Sequence, residues 1–144
     1  MKKETIGHTG RLEDRIIEFA NLCIRVAESL PNSLAGRHYA GELIRSSSCM
    51  ALNYGRIQSA ESFNDFRYRI DVIRIELGES RITLKIIARK PLLTSYEVNS
   101  ALTEVSALFS IFADQEKPKK NSFLRRCRDE RGPLHRFYNQ DSFL

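Results

Sequence analysis

The sequence is poor in the residues that interrupt regular secondary structure. It has only seven glycines and four prolines among 144 residues, which disfavours a turn-rich all-β fold and suits helices. No apolar run approaches the roughly 20 residues of a membrane span. The stretch from Met1 to Arg11 also lacks the apolar core of a secretion signal. We therefore expect a soluble, cytoplasmic protein with no membrane partner.

Residues that carry catalytic or metal chemistry are equally scarce. The three cysteines, which have no metal-binding spacing, are Cys23, Cys49 and Cys127. An odd number cannot all pair within one chain, which fits a reducing compartment. No histidine follows a glutamate by three residues, so the Glu-x-x-His pattern of di-iron bundles is absent. There is no glycine-rich phosphate loop and no nucleophile elbow. We therefore expect a non-enzymatic protein without a metal, a cofactor or catalytic residues.

What the sequence does contain is helical periodicity. Apolar residues recur at spacings of three and four, which predicts amphipathic helices. The four predicted helices run over residues 11–30, 34–59, 62–90 and 95–114. Ser62 and Ser95 are the expected N-caps of the third and fourth helices. Short connections between such helices predict an all-α, antiparallel up-and-down four-helix bundle spanning residues 11–114.

The charge is distributed unevenly along the chain. Residues 1–114 carry 15 basic and 14 acidic side chains, whereas residues 115–144 carry 8 basic and 4 acidic ones. The surplus therefore lies in a basic C-terminal extension, which would attract polyanions or serve only as a solubilising tail. Its candidate nucleic-acid contacts are Arg125, Arg126, Arg128, Arg131 and Arg136. The extension also has more hydrophobic residues than a fully solvated tail needs, which leaves docking onto the bundle open.

The second helix combines small and polar residues. Gly41, residues 46–48 and Gly55 are all small, so we expect a neighbouring helix to approach closely. Three larger polar residues of this helix are Arg45, Asn53 and Tyr54. They are predicted to make inter-helix hydrogen bonds or subunit contacts, because buried polar groups must be paired. The alternative is a ligand groove that they line.

The third helix is apolar on two nearly opposite sides. One set repeats with the spacing of a buried stripe: Phe63, Phe66, Ile70, Ile73, Leu77, Leu84 and Ile87. The second set is Tyr68, Val72, Ile75, Ile82 and Ile86. A small bundle normally buries one stripe and exposes the other to water. Either the C-terminal extension folds back over the second set, or another copy of the chain covers it. We favour the second and predict an oligomer with this set at its interface.

A basic row lies on the same helix. Arg67, Arg74, Arg81 and Lys85 follow one another at spacings of seven, seven and four residues, so they share one side of the helix. Such a row can follow phosphates, although a solvated flank of the apolar stripe explains it equally well. Glu76 and Glu79 are expected to form ion pairs or to be charges on the helix surface.

The order of several short motifs resembles a known family. They run from Phe19-Ala20 and Ser29-Leu30-Pro31, through Leu43-Ile44-Arg45-Ser46-Ser47-Ser48 and Ala51-Leu52-Asn53-Tyr54, to Ala60-Glu61-Ser62, Asp65-Phe66 and Glu76-Leu77-Gly78-Glu79-Ser80. In this order they resemble the bacterial four-helix-bundle family named for proteins encoded in intervening sequences of 23S rRNA genes. The likeness spans about residues 11–114. The chain departs from it at Gly55-Arg56, at Gly78 and in the basic extension.

The resemblance implies a fold, an assembly and partners. Relatives include ribosomal-protein-like chains and the accessory proteins of diversity-generating retroelements, which are basic homopentamers that bind nucleic acid and a reverse transcriptase. It therefore implies a homopentameric, RNA- or DNA-binding protein, with rRNA as one candidate partner. The alternative is a pentameric scaffold that binds another protein, such as a reverse transcriptase, without touching nucleic acid.

Overall fold

The computed structural model describes residues 8–113, with side chains from residue 11, and that part of the chain is all-helical. Its helices are α1 (His8–Ser29), α2 (Leu34–Ile57), α3 (Phe63–Arg89) and α4 (Tyr96–Ala113). The predicted helices are confirmed to within three residues at each end, α1 beginning three residues earlier than expected. The predicted basic extension, residues 115–144, lies outside the described residues.

Serines set the starts of three helices. The Ser62 hydroxyl accepts a hydrogen bond from the Asp65 amide at 3.0 Å, and the Ser95 hydroxyl accepts one from the Val98 amide at 3.3 Å. Both confirm the predicted N-caps. Ser33, which the sequence analysis did not single out, caps α2 by accepting from the Gly36 amide. Each such cap typically contributes about 1 kcal/mol, because it satisfies an amide that has no partner within its helix.

The helices form an up-and-down bundle in which each one packs against its neighbours in sequence and α1 also packs against α4. Each helix contributes one buried side to the core. Its largest fully buried side chains include Phe19, Leu43, Met50, Leu77, Leu84, Leu108 and Phe112. In the described part of the chain, none of these helices is sufficiently long and apolar to cross a membrane.

A close contact between α2 and α3 uses serine. The hydroxyls of Ser46 and Ser80 lie 2.8 Å apart, and both residues are buried. This confirms that small side chains on α2 admit a close neighbour. The glycines have no part in that approach, since a Cβ added at Gly41 or Gly55 would meet nothing within 4 Å.

Gly36 has a different reason to be glycine. A Cβ at this position would lie 1.9 Å from the Pro31 carbonyl oxygen and 2.9 Å from its carbon. The backbone of the α1–α2 turn therefore occupies the place of a side chain. This close approach allows Ser33 to cap the helix immediately after Pro31.

We predict opposite effects of alanine at two glycines of α2. Gly36→Ala should lower the free energy of unfolding by about 1–3 kcal/mol, because the backbone of the turn must move. Gly41→Ala should raise it by about 0.5–1 kcal/mol, because alanine is the better helix former where space is open. Urea denaturation of the two variants at one protein concentration measures both. A stabilising Gly36→Ala would contradict the contact with Pro31.

Candidate functional site

Two surfaces of α3 lie outside the core. The predicted first stripe is buried or partly buried along the helix, whereas most of the predicted second stripe is exposed. Tyr68, Ile75 and Ile82 are 59%, 59% and 56% exposed. Val72 is half-buried, and Ile86 is exposed to a smaller extent than these three. The described chain therefore leaves open the side of α3 that the sequence assigns to another copy.

This apolar surface extends onto α2. Leu52 is 61% exposed. Because an α-helix turns by roughly 100° per residue, Leu52 shares one side of α2 with Arg45 and Cys49, and that side faces α3. We call the surface made by Leu52, Tyr68, Val72, Ile75, Ile82 and Ile86 the α2–α3 face. Single exposed hydrophobic residues are ordinary on protein surfaces, but several large ones that share one side of a helix make that side a candidate contact surface.

A charged cluster lies next to the α2–α3 face. The Arg45 guanidinium on α2 contacts three carboxylates, those of Glu42 at 3.3 Å, Glu76 at 3.4 Å and Glu79. Ion pairs at Glu76 and Glu79, one of the two expected arrangements, and an inter-helix role for Arg45 are both seen here. In the structure Arg45 of α2 pairs with Glu76 and Glu79 of α3. With three carboxylates around one guanidinium, the cluster is locally negative.

Burial changes the titration of this cluster. It raises the pKa of the Glu76 carboxyl above its ordinary value, and the nearby Glu79 charge raises it further, while Arg45 opposes both effects. Burial also raises the pKa of the Cys49 thiol, with the Glu76 carboxylate as the next cause. Cys23 lies in the core, where burial raises its pKa to about 12. Neither thiol is therefore activated as a nucleophile.

Asn53 makes a second polar connection between α2 and α3. Its amide nitrogen donates to the Cys49 carbonyl at 2.8 Å, and its carbonyl oxygen accepts from Nη1 of Arg69 at 3.1 Å. Arg69 also lies 3.4 Å from the Asp65 carboxylate. Arg69 is a residue that the sequence analysis did not select, although its spacing from Asp65 is that of a helical ion pair.

Tyr54 lies apart from the other two residues of its predicted group. It is buried, and its ring meets the Phe112 ring of α4 edge-on at 6.3 Å. The structure therefore brings Arg45 and Asn53 to the α2–α3 boundary, whereas Tyr54 belongs to the core. The three do not line one groove.

The basic row lies along the other flank of α3, toward α4. Arg81 lies over the Phe109 ring of α4 at 5.5 Å, and Arg74 contacts the Asp71 carboxylate at 3.3 Å. Arg67 is exposed and Lys85 is partly buried. From Arg67 to Lys85 the row spans 18 residues, or about 27 Å of helix.

The part of α4 that faces this row carries no acidic residue among the described side chains. The polar residues there are Asn99, Ser106 and Ser110, whereas Glu97 and Glu104 point toward α1 by their helical position. Glu104 accordingly pairs with Arg15 of α1 at 2.9 Å. Apart from Asp71, which pairs with Arg74, the flank of α3 and α4 is therefore a strip of cations and neutral polar groups.

The remaining candidate contacts are the arginines of the basic extension. Arg125, Arg126, Arg128, Arg131 and Arg136 lie outside the described residues. Among the side chains that the structure describes, there is no group of three His, Cys, Asp or Glu residues that could hold a metal ion. The expectation of a non-enzymatic protein stays a prediction.

Comparison with known proteins places the fold. No protein-family model and no curated protein sequence matches the chain. The structure is similar to a crystal structure, at 1.70 Å resolution, of a protein of unknown function from the S23 ribosomal protein family of Bacteroides thetaiotaomicron VPI-5482. The TM-score is 0.66 at 18% sequence identity, and the match covers 74% of this chain and 95% of the other. At this identity the likeness shows that the two chains share a helical fold.

We predict that Glu76→Gln makes the protein more stable at pH 7. Burial raises the folded-state pKa of Glu76 above the ordinary 4.5, so folding favours the protonated carboxyl. The wild-type chain therefore loses stability relative to the variant as the pH rises from the unfolded-state pKa of Glu76 through its higher folded-state pKa. Urea denaturation at pH 4 and pH 7 measures the difference, which should be smaller at pH 4.

The matched control is Glu79→Gln, which removes a more exposed partner of the same guanidinium. It should lower the free energy of unfolding at pH 7 by at most about 1 kcal/mol. If Glu76→Gln destabilises the protein more than Glu79→Gln does, the attraction of Arg45 outweighs burial at Glu76 and the prediction is wrong.

Proposed function

We propose that this chain is a non-enzymatic, self-associating protein that binds nucleic acid, with RNA as the favoured class and ribosomal RNA as one candidate. The observation that carries the proposal is the basic row of Arg67, Arg74, Arg81 and Lys85 on the α3–α4 flank. It forms a strip of positive charge about 27 Å long that no carboxylate of α4 opposes within the described residues.

The electrostatics of such a strip favour the phosphate backbone over the bases. Phosphate contacts supply affinity that depends on salt and is largely blind to sequence. Neither Arg67 nor Lys85 makes an ion pair with a described residue, so both remain available to phosphate. The arginines of the basic extension add to the same field, because residues 115–144 carry four more basic than acidic side chains.

Self-association belongs to the same proposal. The α2–α3 face leaves several large apolar side chains in water, and burying each would contribute roughly 1.5–3 kcal/mol. A second copy of the chain is the occupant we propose, and where the face meets a different surface of the next copy, repeating the contact by rotation closes a ring. The homopentamer implied by the family resemblance would combine five chains of +5, a total of +25. That total would strengthen the attraction for nucleic acid.

The family of the structural neighbour is consistent with an RNA partner, because it is named for a ribosomal protein. The cytoplasm is the compartment we propose, since Cys23 and Cys49 are free thiols and such thiols are typical of reducing compartments.

A second candidate function is favoured by the α2–α3 face itself. An exposed apolar surface beside a charged cluster also fits a scaffold that binds another protein, such as a reverse transcriptase. A pull-down from the native host with and without nuclease separates the two functions. Partners that survive nuclease treatment support the scaffold, and partners that disappear with the nucleic acid support the first proposal.

We predict that Arg67→Gln together with Lys85→Gln weakens binding to a single-stranded RNA oligonucleotide. Removing one phosphate contact should reduce the slope of log affinity against log salt by about 0.7. The double variant should therefore bind less tightly at low salt and show a flatter salt dependence. Fluorescence anisotropy over a salt series measures both quantities.

The control for this experiment removes two positive charges elsewhere on the bundle. Arg11→Gln together with Arg37→Gln makes the same change in net charge on α1 and α2. If this control weakens binding as much as the row variant does, net charge explains the binding and the row has no special part.

We predict that Ile75→Glu together with Ile82→Glu lowers the particle mass. Burying two carboxylates in a subunit contact costs far more than leaving them in water, so the assembly should dissociate toward the 16.6 kDa chain. Light scattering measures the mass, and circular dichroism checks that the helices remain. As a control, Ile17→Glu with Leu34→Glu alters two exposed apolar residues outside the face. Unchanged mass in the Ile75/Ile82 variant would exclude the α2–α3 face from the contact.

A further inference from the structure

Arg81 differs from the other cations of the basic row because an aromatic ring holds it. Its guanidinium carbon lies 5.5 Å from the centroid of the Phe109 ring of α4. Its Nε is buried and has no hydrogen-bond partner among the described residues. None of the ion pairs between described residues includes it. Packing on the ring, and not a counter-charge, therefore holds this guanidinium in place.

Arg69 also lies over a ring, but oxygen atoms already occupy its guanidinium. The guanidinium carbon of Arg69 lies 5.6 Å from the centroid of the Tyr68 ring. The same group lies 3.4 Å from the Asp65 carboxylate and donates to the Asn53 carbonyl oxygen at 3.1 Å. A ligand at Arg69 would have to displace these oxygens. At Arg81 no oxygen of a described side chain has to be displaced.

The surface beside Arg81 is open. Gly78 lies one turn earlier on the same flank, and a Cβ added there would meet the edge of the Phe109 ring at 3.8 Å. Because glycine has no side chain, α3 leaves that edge of the ring uncovered. On α4 the neighbouring Ser106 and Ser110 are exposed, whereas Arg81 and Phe109 are half-buried. The guanidinium and the ring therefore form a shallow surface that small residues border.

The groups around this surface offer charge and stacking more than they offer base recognition. The hydroxyls of Ser106 and Ser110 donate to backbone carbonyls of their own helix at 2.9 and 3.1 Å. Lys85 lies one turn beyond Arg81, a rise of about 6 Å along α3. A nucleotide whose phosphate contacts Lys85 can therefore bring its base to Arg81. Guanidinium planes, like aromatic rings, are surfaces on which unpaired bases stack.

We propose that the Arg81 guanidinium, backed by the Phe109 ring, is a stacking site for an unpaired base, and that the basic row thereby selects single-stranded over double-stranded nucleic acid. This inference rests on the proposed function and names the class of nucleic acid that the row binds. In a duplex the faces of each base are covered by its neighbours, so a duplex offers the row its phosphates alone. Stacking of this kind tolerates any base, because every base has a π-face.

The experiment compares two single strands that differ only in their bases. One is an oligouridine, and the other has the same length and sugar–phosphate backbone but no bases. Fluorescence anisotropy at one low salt concentration measures the affinity of the full-length chain for each. We expect the wild-type chain to bind oligouridine about tenfold more tightly than the abasic strand, which is the size of effect expected for one stacked base.

Arg81→Lys keeps the positive charge and removes the plane on which a base stacks. The variant should lose the preference for oligouridine and keep most of its affinity for the abasic strand. Circular dichroism checks that its helices remain. If the preference survives in Arg81→Lys, the base stacks elsewhere and the proposal is overturned.

The matched control is Arg89→Lys, the same substitution eight residues further along α3. Arg89 is exposed, and no ring contact or ion pair of the described residues includes it. The control should keep the wild-type preference for oligouridine. A control that loses the preference as fully as Arg81→Lys does would show that any arginine of the helix supplies it, which overturns the site at Arg81.

A duplex of oligouridine with oligoadenosine tests the choice between single and double strands. Its affinity should hardly change in Arg81→Lys, because lysine still meets its phosphates. A loss as large as that for oligouridine would show that Arg81 contacts phosphate alone, and would overturn the proposal.

The abasic strand separates this inference from the proposed function. If the wild-type chain binds the abasic strand and oligouridine equally, the stacking site is overturned while phosphate binding by the row stands. If the chain binds neither strand at low salt, the proposed function fails, and the stacking site fails with it.

Discussion

The close packing of α2 against α3 is the contact on which the rest of the structure depends. Ser46 and Ser80 are small, and their hydroxyls satisfy one another at 2.8 Å in the core. This allows the two helices to approach closely without leaving buried polar groups unpaired. The same approach brings Arg45 within reach of Glu76 and Asn53 within reach of Arg69. It also joins the apolar side chains of both helices into one exposed surface.

The functional proposals follow from how the bundle distributes charge over its sides. The α3–α4 flank is positive because the acids of α4 lie toward α1. Carboxylates gather instead where α1 meets α4, and Arg15 pairs there with Glu104. The α2–α3 face is apolar with a locally negative cluster beside it. The two surfaces that carry the proposed function therefore differ in character, one of them basic and the other apolar.

Much of the fold could be predicted, because the relevant signals are local. Ser62 and Ser95 cap their helices by bonds to residues three positions ahead, which a sequence displays directly. The two apolar stripes of α3 are likewise visible in the sequence, because the apolar residues that share a side with Ile73 and those that share a side with Ile75 both recur at helical spacing. The role of Gly36 could not be predicted in this way, because it depends on where the Pro31 carbonyl lies in space. The pairing of Arg15 with Glu104 likewise depends on how two helices far apart in sequence pack against each other.

By itself the sequence determined the four helices, the two-sided character of α3 and the basic row along it. Helical periodicity fixes which residues share a side, whatever the helix packs against. Only the tertiary structure decided which charges meet: Arg45 with the glutamates of α3, Arg15 with Glu104, and Arg81 over Phe109. The physical reason is that these contacts depend on the rotation and register of one helix against another. Packing of the whole core sets the rotation and the register, and no local sequence pattern specifies either of them.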